Sequence, residues 1–252
     1  MRLKGKKVLI TGGGGGLGTL ICQRLIKLQA DVTVIDRAES LSFDADLIRG
    51  DLSTADGIAD VIREVDPHHW DVLVNLAGLQ YFGPFERQSP DHLVSTYMVN
   101  LVAPALLAQS IGHGMRWRGD GCIVNVGSVF GSINFAHFAT YSSSKAGLRG
   151  LSQALRREYA GSGVKVVYIA PRAVRTPLNT AQVMEFARRT HMNMDDPEYV
   201  ARRIVRAIKR RSPEVYIGFP ESLFVRINAI APRLVDMALA RNDRRASELF
   251  AE

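Results

Sequence analysis

The sequence predicts an α/β fold: one doubly wound parallel sheet between two layers of helices, with a short helical extension at the C-terminus. Two observations support this class. Segments patterned as buried strands alternate with segments of helical periodicity along the 252 residues, without internal repeats or a low-complexity linker. A glycine-rich turn at 12–18 joins the first strand to the first helix. We therefore expect a single domain over 1–252, with its helical extension at 220–252.

Seven short segments have the composition of strands in a buried parallel sheet. The first reads KVLIT, and most of the others are similarly rich in Val, Ile and Leu, with Gly, Pro or Asp at their ends. Parallel strands need crossover connections, which the helical segments between them supply. The predicted strands are 7–11, 32–35, 47–49, 71–75, 121–127, 164–170 and 214–218.

Five longer segments between these strands are predicted helices. The third has the clearest start, because Ser89 can act as its N-cap and Pro90 takes its first position. We expect that helix to end near Gly112 and to be kinked by Pro104. The predicted helices are 17–29, 53–65, 90–112, 141–159 and 196–210.

The connection at 37–46 is too short for a helical crossover, which needs about 10–12 residues in all. We expect a loop or a single helical turn there. One side of the candidate site should then be more open.

Composition, charge and motifs argue against a nucleic-acid-binding or membrane-spanning protein. Hydrophobic residues make up 46% and charged residues 23%, as in ordinary globular domains. The net charge of +7 is concentrated near the C-terminus, since residues 172–252 contain 15 Lys or Arg against 10 Asp or Glu. The sequence has no nucleic-acid-binding motif, and we predict no nucleic-acid partner and no metal site. No apolar run reaches the length needed to span a bilayer.

Two features suggest where the protein is found. Cys22 and Cys122 lie in apolar segments, so we expect buried, reduced thiols. The N-terminal residues run directly into a strand, without the pattern of a secretory signal. The predicted location is therefore the cytoplasm.

The glycine-rich turn, TGGGGGLG, predicts a dinucleotide site. Glycines between a strand and a helix let backbone amides approach a pyrophosphate, and the helix N-terminus adds partial positive charge. Asp36 ends the second strand, where a carboxylate can accept both ribose hydroxyls and repel a 2′-phosphate. These residues favour NAD(H) over NADP(H). Arg37 is the exception, since a guanidinium can pair with a phosphate.

Ser128, Tyr141 and Lys145 are the candidate catalytic residues. Tyr141 and Lys145 are four residues apart, so on a helix they share one face. Lowering the pKa of a phenol by about three units takes about 4 kcal/mol, which a unit charge ~4 Å away supplies at an effective dielectric constant of 20. Alone, this spacing is common and favours an ordinary surface helix that happens to carry Tyr and Lys. The dinucleotide turn is what favours catalysis.

Taken together, these motifs resemble the short-chain dehydrogenase/reductase family over nearly the whole chain. The resemblance rests on the TGxxxGxG turn at 11–18, Asp51-Leu52, the Asn-x-Ala-Gly segment at 75–78, Asn100, Ser128 and the YxxxK pair. It implies a Rossmann fold, nicotinamide-dependent hydride transfer and assembly as a homodimer or homotetramer. The implied cofactor-binding residues are Gly12, Gly16, Leu17, Gly18, Asp36, Arg37, Asp51, Leu52, Asn75, Ala77, Gly78, Tyr141, Lys145, Pro171, Val174 and Thr176.

The same resemblance implies the catalytic roles. Tyr141 would be the general acid or base, and Ser128 would hold the substrate oxygen. Lys145 would lower the pKa of Tyr141 and bind the ribose next to the nicotinamide, and Asn100 would support a water that passes protons to Lys145. Asp51 would contact the adenine amino group, and Asn75 the adenine-side ribose.

The chain departs from the family pattern at three places. Arg172 stands where glycine usually follows the proline, and its guanidinium would either meet an anionic substrate at the pocket mouth or point to water. Leu76 replaces a usual asparagine. The short connection at 37–46 removes a helix that the family normally has.

The predicted substrate is hydrophobic. Apolar residues follow Ser128 and recur in the predicted lid at 177–195, although at least half of them should simply fill the core or an interface. We expect a secondary alcohol or ketone of lipid, acyl or steroid-like character, free or bound to an acyl carrier. The alternatives are a 3-oxoacyl-thioester reductase that uses NADPH and a nucleotide-sensing or scaffold protein without turnover.

The extension at 220–252 is apolar with interspersed arginines. We expect it to close the pocket or to pack on a neighbouring subunit. The other interpretation is an interfacial helix that brings the protein to a membrane surface as a peripheral protein.

Overall fold

Seven parallel strands form the centre of the protein. They are described by a computed structural model that covers residues 1–251. The order across the sheet is β3–β2–β1–β4–β5–β6–β7. The strands are β1 (Lys7–Thr11), β2 (Asp31–Asp36), β3 (Asp46–Arg49), β4 (Val72–Asn75), β5 (Gly121–Val126), β6 (Val164–Pro171) and β7 (Glu214–Ile217).

Helices cover both faces of this sheet among the described residues. One apolar core lies between the sheet and the pair α1 and α6, and a second lies on the opposite face. Successive β1 residues alternate between them, with Val8 and Ile10 in the first core and Leu9 in the second. The helices are α1 (Gly16–Lys27), α2 (Ala55–Val65), α3 (Pro90–Arg118), α4 (Ala139–Glu158), α5 (Ala181–Thr190), α6 (Pro197–Arg210), α7 (Glu221–Ile230) and α8 (Pro232–Ser247).

The predicted fold class is confirmed, and the sheet order explains where a site can form. All six strand pairs are parallel. The order reverses between β1 and β4, so the connections that leave these two strands go to opposite faces of the sheet. Such a reversal opens a crevice at the carboxyl ends of the strands, which is where ligands bind in doubly wound sheets.

Helix α3 differs from its prediction in length. It starts as expected, with Ser89 accepting a hydrogen bond from the His92 amide, but it continues past Gly112. Gly119 ends it instead, in the left-handed conformation that glycine adopts most easily. The predicted kink near Pro104 takes the form of a π-helical turn at Met98–Val102.

By length and composition alone, α3 is also apolar enough to cross a membrane, contrary to the expectation from the sequence. Leu107, Ile111 and Met115 on α3 are buried in the second core. Within residues 1–251 the helix is therefore a layer of the domain, and its apolar composition is explained by this packing.

The connection between β2 and β3 is an irregular loop, as predicted, but it does not leave the domain uncovered. Leu41 and Phe43 in this loop pack against the first core, in place of the missing helix. This packing concerns the core, and the more open side of the candidate site stays a prediction.

The segment predicted as a lid is an excursion from the end of β6. Val174 and Asp195 meet in a parallel β-bridge, so the ends of the segment lie side by side. Helix α5 lies between them and contacts α8 of the C-terminal hairpin, α7–α8. The extension thus folds back onto the domain beside the carboxyl ends of the strands.

Candidate active site

The candidate site is a crevice of about 450 Å³ at the carboxyl ends of the central strands. This volume is within the range of ligand pockets, ~300–1,000 Å³. The structure brings nearly all the predicted site residues to its wall. Those that line it are Gly12, Gly16, Leu17, Gly18, Asp36, Arg37, Asp51, Leu52, Ala77, Gly78, Ser128, Tyr141, Lys145, Pro171, Val174 and Thr176.

Gly12 and Gly18 give the glycine-rich turn its shape. Gly12 has a positive φ of 72°, and a Cβ there would lie 2.8 Å from the Ala77 Cα. A Cβ on Gly18 would lie 2.1 Å from the Gly12 carbonyl oxygen. A side chain fits at neither position, so backbone lines the crevice at the start of α1. This cradle fits the pyrophosphate of a dinucleotide.

The Asp36 carboxylate lies beside this turn. It accepts hydrogen bonds from the Gly14 amide at 2.9 Å and from the Ala38 amide at 3.1 Å. A Cβ on Gly14 would come within 3.1 Å of the carboxylate, so Gly14 lets Asp36 approach the turn. The arrangement fits a ribose whose hydroxyls bond to Asp36.

Two further contacts shape the part of the crevice next to β1, β3 and β4. The Thr11 hydroxyl accepts hydrogen bonds from the amides of Leu76 and Ala77, both at 3.1 Å. It therefore holds the segment after β4 against the glycine-rich turn. Asp51 accepts a hydrogen bond from the Ser53 amide at 2.9 Å. The hydroxyl of Ser53 and this amide both lower the pKa of the Asp51 carboxyl. Asp51 is thus an ionised acceptor at neutral pH.

Tyr141 and Lys145 are both buried on the inner face of α4. The Lys145 Nζ lies 5.9 Å from the centre of the Tyr141 ring and donates to the Val126 carbonyl at 3.2 Å. Ser128 follows β5 directly, and its Oγ accepts a hydrogen bond from the Phe130 amide at 3.1 Å. The three predicted catalytic side chains therefore meet at one place in the crevice.

The pKa of Tyr141 departs from the sequence-based expectation. Burial raises the pKa of the phenol, and a hydrogen bond with Ser128 opposes that rise. Burial also lowers the pKa of the Lys145 ammonium to about 8. In the protein alone, burial is thus the largest influence on the pKa of the phenol, and it acts against the lowering expected from Lys145.

Asn75 and Asn100 do not line the crevice. Asn75 donates to the Asn125 side chain at 2.8 Å in the sheet below it. Asn100 lies in the π-helical turn, and its side-chain oxygen and nitrogen bond to the amide and carbonyl of Leu79, at 2.8 and 2.9 Å. It also donates to the Ser144 hydroxyl at 2.9 Å. Asn100 therefore ties α3 to α4 and to the segment that follows β4.

Arg172 lies on the crevice wall, as in one of the two orientations considered from the sequence, but its guanidinium is already paired. Its guanidinium pairs with Asp195 at 2.7 Å and with Glu221 at 3.0 Å, and it is largely buried. Gly218 makes room for it, because a Cβ there would lie 2.6 Å from the Arg172 Cδ. Two carboxylates already neutralise Arg172, so it is not a free receptor for an anionic substrate. It joins the end of β6 to the end of the lid and the start of α7.

Tyr168 is a positioning residue that the sequence analysis missed. Its hydroxyl donates to the Ser128 carbonyl at 3.3 Å, and its side chain is fully buried. Its ring lies over Gly127, where a Cβ would come within 2.3 Å of it. The sequence signal is the glycine directly before Ser128, but only the pairing of β5 with β6 reveals its partner.

The rest of the crevice wall is apolar. Phe130, Phe138, Leu178 and Met192 line it. Other aromatic residues from the predicted lining, such as Phe82, fill the buried cluster around Tyr141 instead. No group of three or more His, Cys, Asp or Glu residues in 1–251 is placed to hold a metal ion.

Comparison with known proteins gives a consistent family. Residues 6–185 match the model of the short chain dehydrogenase family. The ketoacyl reductase HetN of Nostoc sp. is 31% identical, over 93% of this chain and 88% of its own length. The 3beta-hydroxysteroid dehydrogenase 1 of Eggerthella lenta is also 31% identical, over 88% of this chain and 84% of its own length.

A solved structure has the same fold. A short chain dehydrogenase from Burkholderia cenocepacia, in complex with NADP, has a TM-score of 0.81 and covers 95% of this chain and 99% of its own. Its sequence identity is 21%, so the likeness concerns the fold.

The buried Lys145 generates a prediction about stability. Its pKa falls from 10.5 in the unfolded chain to about 8 in the folded protein, so below pH 8 its burial costs about 3 kcal/mol. Between these values the unfolded chain binds more protons, so the free energy of unfolding rises with pH. We expect Lys145→Met to raise that free energy by about 1–3 kcal/mol at pH 7, and most of this gain to be lost by about pH 10. Urea unfolding at both pH values measures this, and a gain independent of pH would contradict it.

Tyr168 generates a second prediction. Without its hydroxyl, Tyr168→Phe should hold Ser128 less firmly and weaken the Ser128–Tyr141 hydrogen bond. We expect kcat to fall by about 3- to 10-fold, cofactor affinity to stay unchanged, and the pKa seen in the pH profile of kcat/KM to rise. The matched control is Tyr216→Phe, which removes hydroxyl contacts to Ser132 and Glu214 but none to Ser128. Equal effects of the two variants on the pH profile would exclude the positioning role.

Proposed function

The chain belongs to the short-chain dehydrogenase/reductase family, and from that premise we propose that it is an NAD(H)-dependent enzyme that interconverts a secondary alcohol and a ketone on a hydrophobic substrate. The membership makes the chain an oxidoreductase. The finer proposal rests on one observation above all. The Tyr141 phenol and the Ser128 hydroxyl lie in the same crevice as the glycine-rich turn and Asp36, beside an apolar wall.

A nicotinamide dinucleotide, when bound, supplies the hydride acceptor or donor. The protein handles the proton. Ser128 donates a hydrogen bond to the substrate oxygen, and Tyr141 exchanges a proton with that oxygen. Because burial raises its pKa, Tyr141 is protonated at neutral pH, which is the form needed to reduce a ketone. Oxidation needs the tyrosinate and is therefore favoured by higher pH.

In this proposal, the proton that Tyr141 gives to the substrate is replaced by way of a water beside α3. Asn100 would support the water that passes protons to Lys145, because it is fully buried in the π-helical turn and its side chain donates to the hydroxyl of Ser144, the residue before Lys145. The side-chain bonds of Asn100 hold the helical turn in place.

The preference for NAD(H) rests on the carboxylate of Asp36. A 2′-phosphate at that ribose would lie next to a negative charge that two backbone amides already hold in position. The glycine-rich turn offers no Lys or Arg to compensate. Arg37 is the one cation beside Asp36 on the crevice wall.

A 3-oxoacyl-thioester reductase that uses NADPH is the second candidate. It is supported by Arg37 and by the name of the Nostoc relative, a ketoacyl reductase. Arg172 does not support it, because Asp195 and Glu221 neutralise the guanidinium. Oxidation of NADH and NADPH, each followed with acetoacetyl-CoA and with a panel of steroid-like and other lipid ketones, separates the two candidates. No observation favours a sensor or scaffold without turnover.

We also propose that the protein is a cytoplasmic homodimer or homotetramer. Val94 and Leu106 on α3 are exposed apolar side chains, as expected for a helix that pairs with a second copy. Burial raises the pKa of the Cys22 and Cys122 thiols to about 12, which is consistent with stable reduced cysteines. Light scattering after size exclusion measures the oligomeric state.

Removing the Tyr141 hydroxyl should slow the reaction strongly while the cofactor still binds. We expect Tyr141→Phe to lower kcat by at least 10²-fold while the affinity for NADH, measured by fluorescence, changes less than about threefold. The matched control is Tyr97→Phe, which loses an exposed hydroxyl bonded to Ser143 and should keep wild-type kcat. Wild-type turnover by Tyr141→Phe would refute the assignment.

Removing the Asp36 charge should relax the choice of cofactor. We expect Asp36→Ser to lower the ratio of kcat/KM for NADH over NADPH by at least about tenfold, because the repulsion of the 2′-phosphate is lost. The control is Glu39→Gln, an exposed acid three residues further on, which should leave the ratio unchanged. A wild-type enzyme that uses both cofactors equally well would contradict the NAD(H) proposal.

A further inference from the structure

The C-terminal hairpin presents an unusual number of apolar side chains to solvent. Half of the exposed large apolar residues in the described chain fall within 219–237. Ile230 is 87% exposed and Met237 is 67% exposed. The hairpin lies outside the 6–185 match to the family model. We define the C-terminal patch as Leu223, Phe224, Ile230, Leu234 and Met237.

Arginines share the helix faces that carry this patch. On α7, Leu223, Arg226 and Ile230 follow at intervals of three and four residues, so they lie on one face. On α8, Met237, Arg241 and Arg244 follow at intervals of four and three. None of these three arginines forms an ion pair with a residue within 1–251. Each outward face therefore carries apolar and cationic side chains, and on the α8 side Glu248 is an acid that lies beside Met237, Arg241 and Arg244.

The acids of α8 lie on a different side. Asp236 and Asp243 are seven residues apart and project roughly a third of a turn away from Met237 and Arg244 around the helix axis. Burial raises the pKa of the Asp243 carboxyl, while its interaction with His137 opposes that rise. Ser247, one turn after Asp243, bonds to the His137 ring at 3.1 Å, so this side of α8 faces the domain.

The inner side of the hairpin is firmly packed. Val225 and Val235 pack with Val129 and Ile133, just after Ser128. Ala246 joins the aromatic cluster around Tyr141. The hairpin is therefore part of the folded domain beside the substrate side of the crevice, and the patch is its outer surface.

The charge of the patch decides between two occupants. In a two-fold contact between copies of this chain, the same face meets itself, so two surfaces with an excess of arginine would be brought together. Like charges at an interface oppose association. An anionic bilayer instead offers lipid tails to the apolar side chains and negative headgroups to the arginines.

We propose that the C-terminal hairpin docks this protein onto anionic lipid surfaces through the C-terminal patch and its arginines. The docking is peripheral, since the patch lies on two short helices that stay packed on the domain. It places the substrate side of the crevice next to the lipid. Docking does not depend on the proposed substrate or cofactor.

The experiment is co-sedimentation of the full-length protein with vesicles. We expect binding to vesicles of 30% phosphatidylglycerol in phosphatidylcholine at low salt, at least tenfold weaker binding to pure phosphatidylcholine, and weaker binding at high salt. The variant Ile230→Asp with Met237→Asp should reduce binding at least tenfold. Arg241→Glu with Arg244→Glu should do the same, since it removes only the electrostatic attraction.

The control is Trp117→Asp, which places a charge at an apolar residue that is 86% exposed on α3, outside the hairpin. It should bind vesicles as the wild type does. Thermal melting and turnover of a small soluble ketone verify that each variant is folded. Absence of wild-type binding to anionic vesicles at low salt would overturn the proposal. Loss of the native oligomer in Ile230→Asp with Met237→Asp would also overturn it, because a second copy would then cover the patch.

Discussion

The site depends on keeping two titratable side chains out of water on one face of α4. Burial raises the pKa of Tyr141 and lowers that of Lys145, so each group is driven towards its neutral form. The hydrogen bond from Lys145 to the Val126 carbonyl offsets part of this cost. The free energy for such burial has to come from the packed sheet and helices. The burial of Tyr141 and Lys145 therefore lowers the stability of the fold rather than raising it.

Polar contacts between segments that are distant in sequence fix the walls of the crevice. Thr11 ties the segment after β4 to the glycine-rich turn, and Asn100 ties the same segment to α3 and α4. Tyr168 holds Ser128 from the neighbouring strand. These contacts lie behind the surface that a ligand touches. They fix the positions of the strand ends without occupying the site, which is how a rigid scaffold orients catalytic side chains.

Much of this could be predicted from the sequence, because the strands and most helix starts depend on local patterns. Strand bounds agree to within one residue, and Ser89 caps α3 as expected. The end of α3 differs from the prediction because a glycine can end a helix at either Gly112 or Gly119. Of these two glycines, only Gly119 adopts a positive φ. The rise in the pKa of Tyr141 was missed because the degree of burial depends on the tertiary fold.

Arg172 shows why single residues outside the family pattern need the structure. Local sequence allowed an anion receptor or a solvent-facing side chain, but the two carboxylates that bind it come from 23 and 49 residues further along the chain. The resulting cluster joins β6, the end of the lid and the start of α7. A movement of the lid that pulls Asp195 away would leave a largely buried guanidinium with one partner fewer, which is costly. Through its two ion pairs Arg172 therefore links the end of the predicted lid to the first residue of α7, and both segments are held to the end of β6 by one buried side chain.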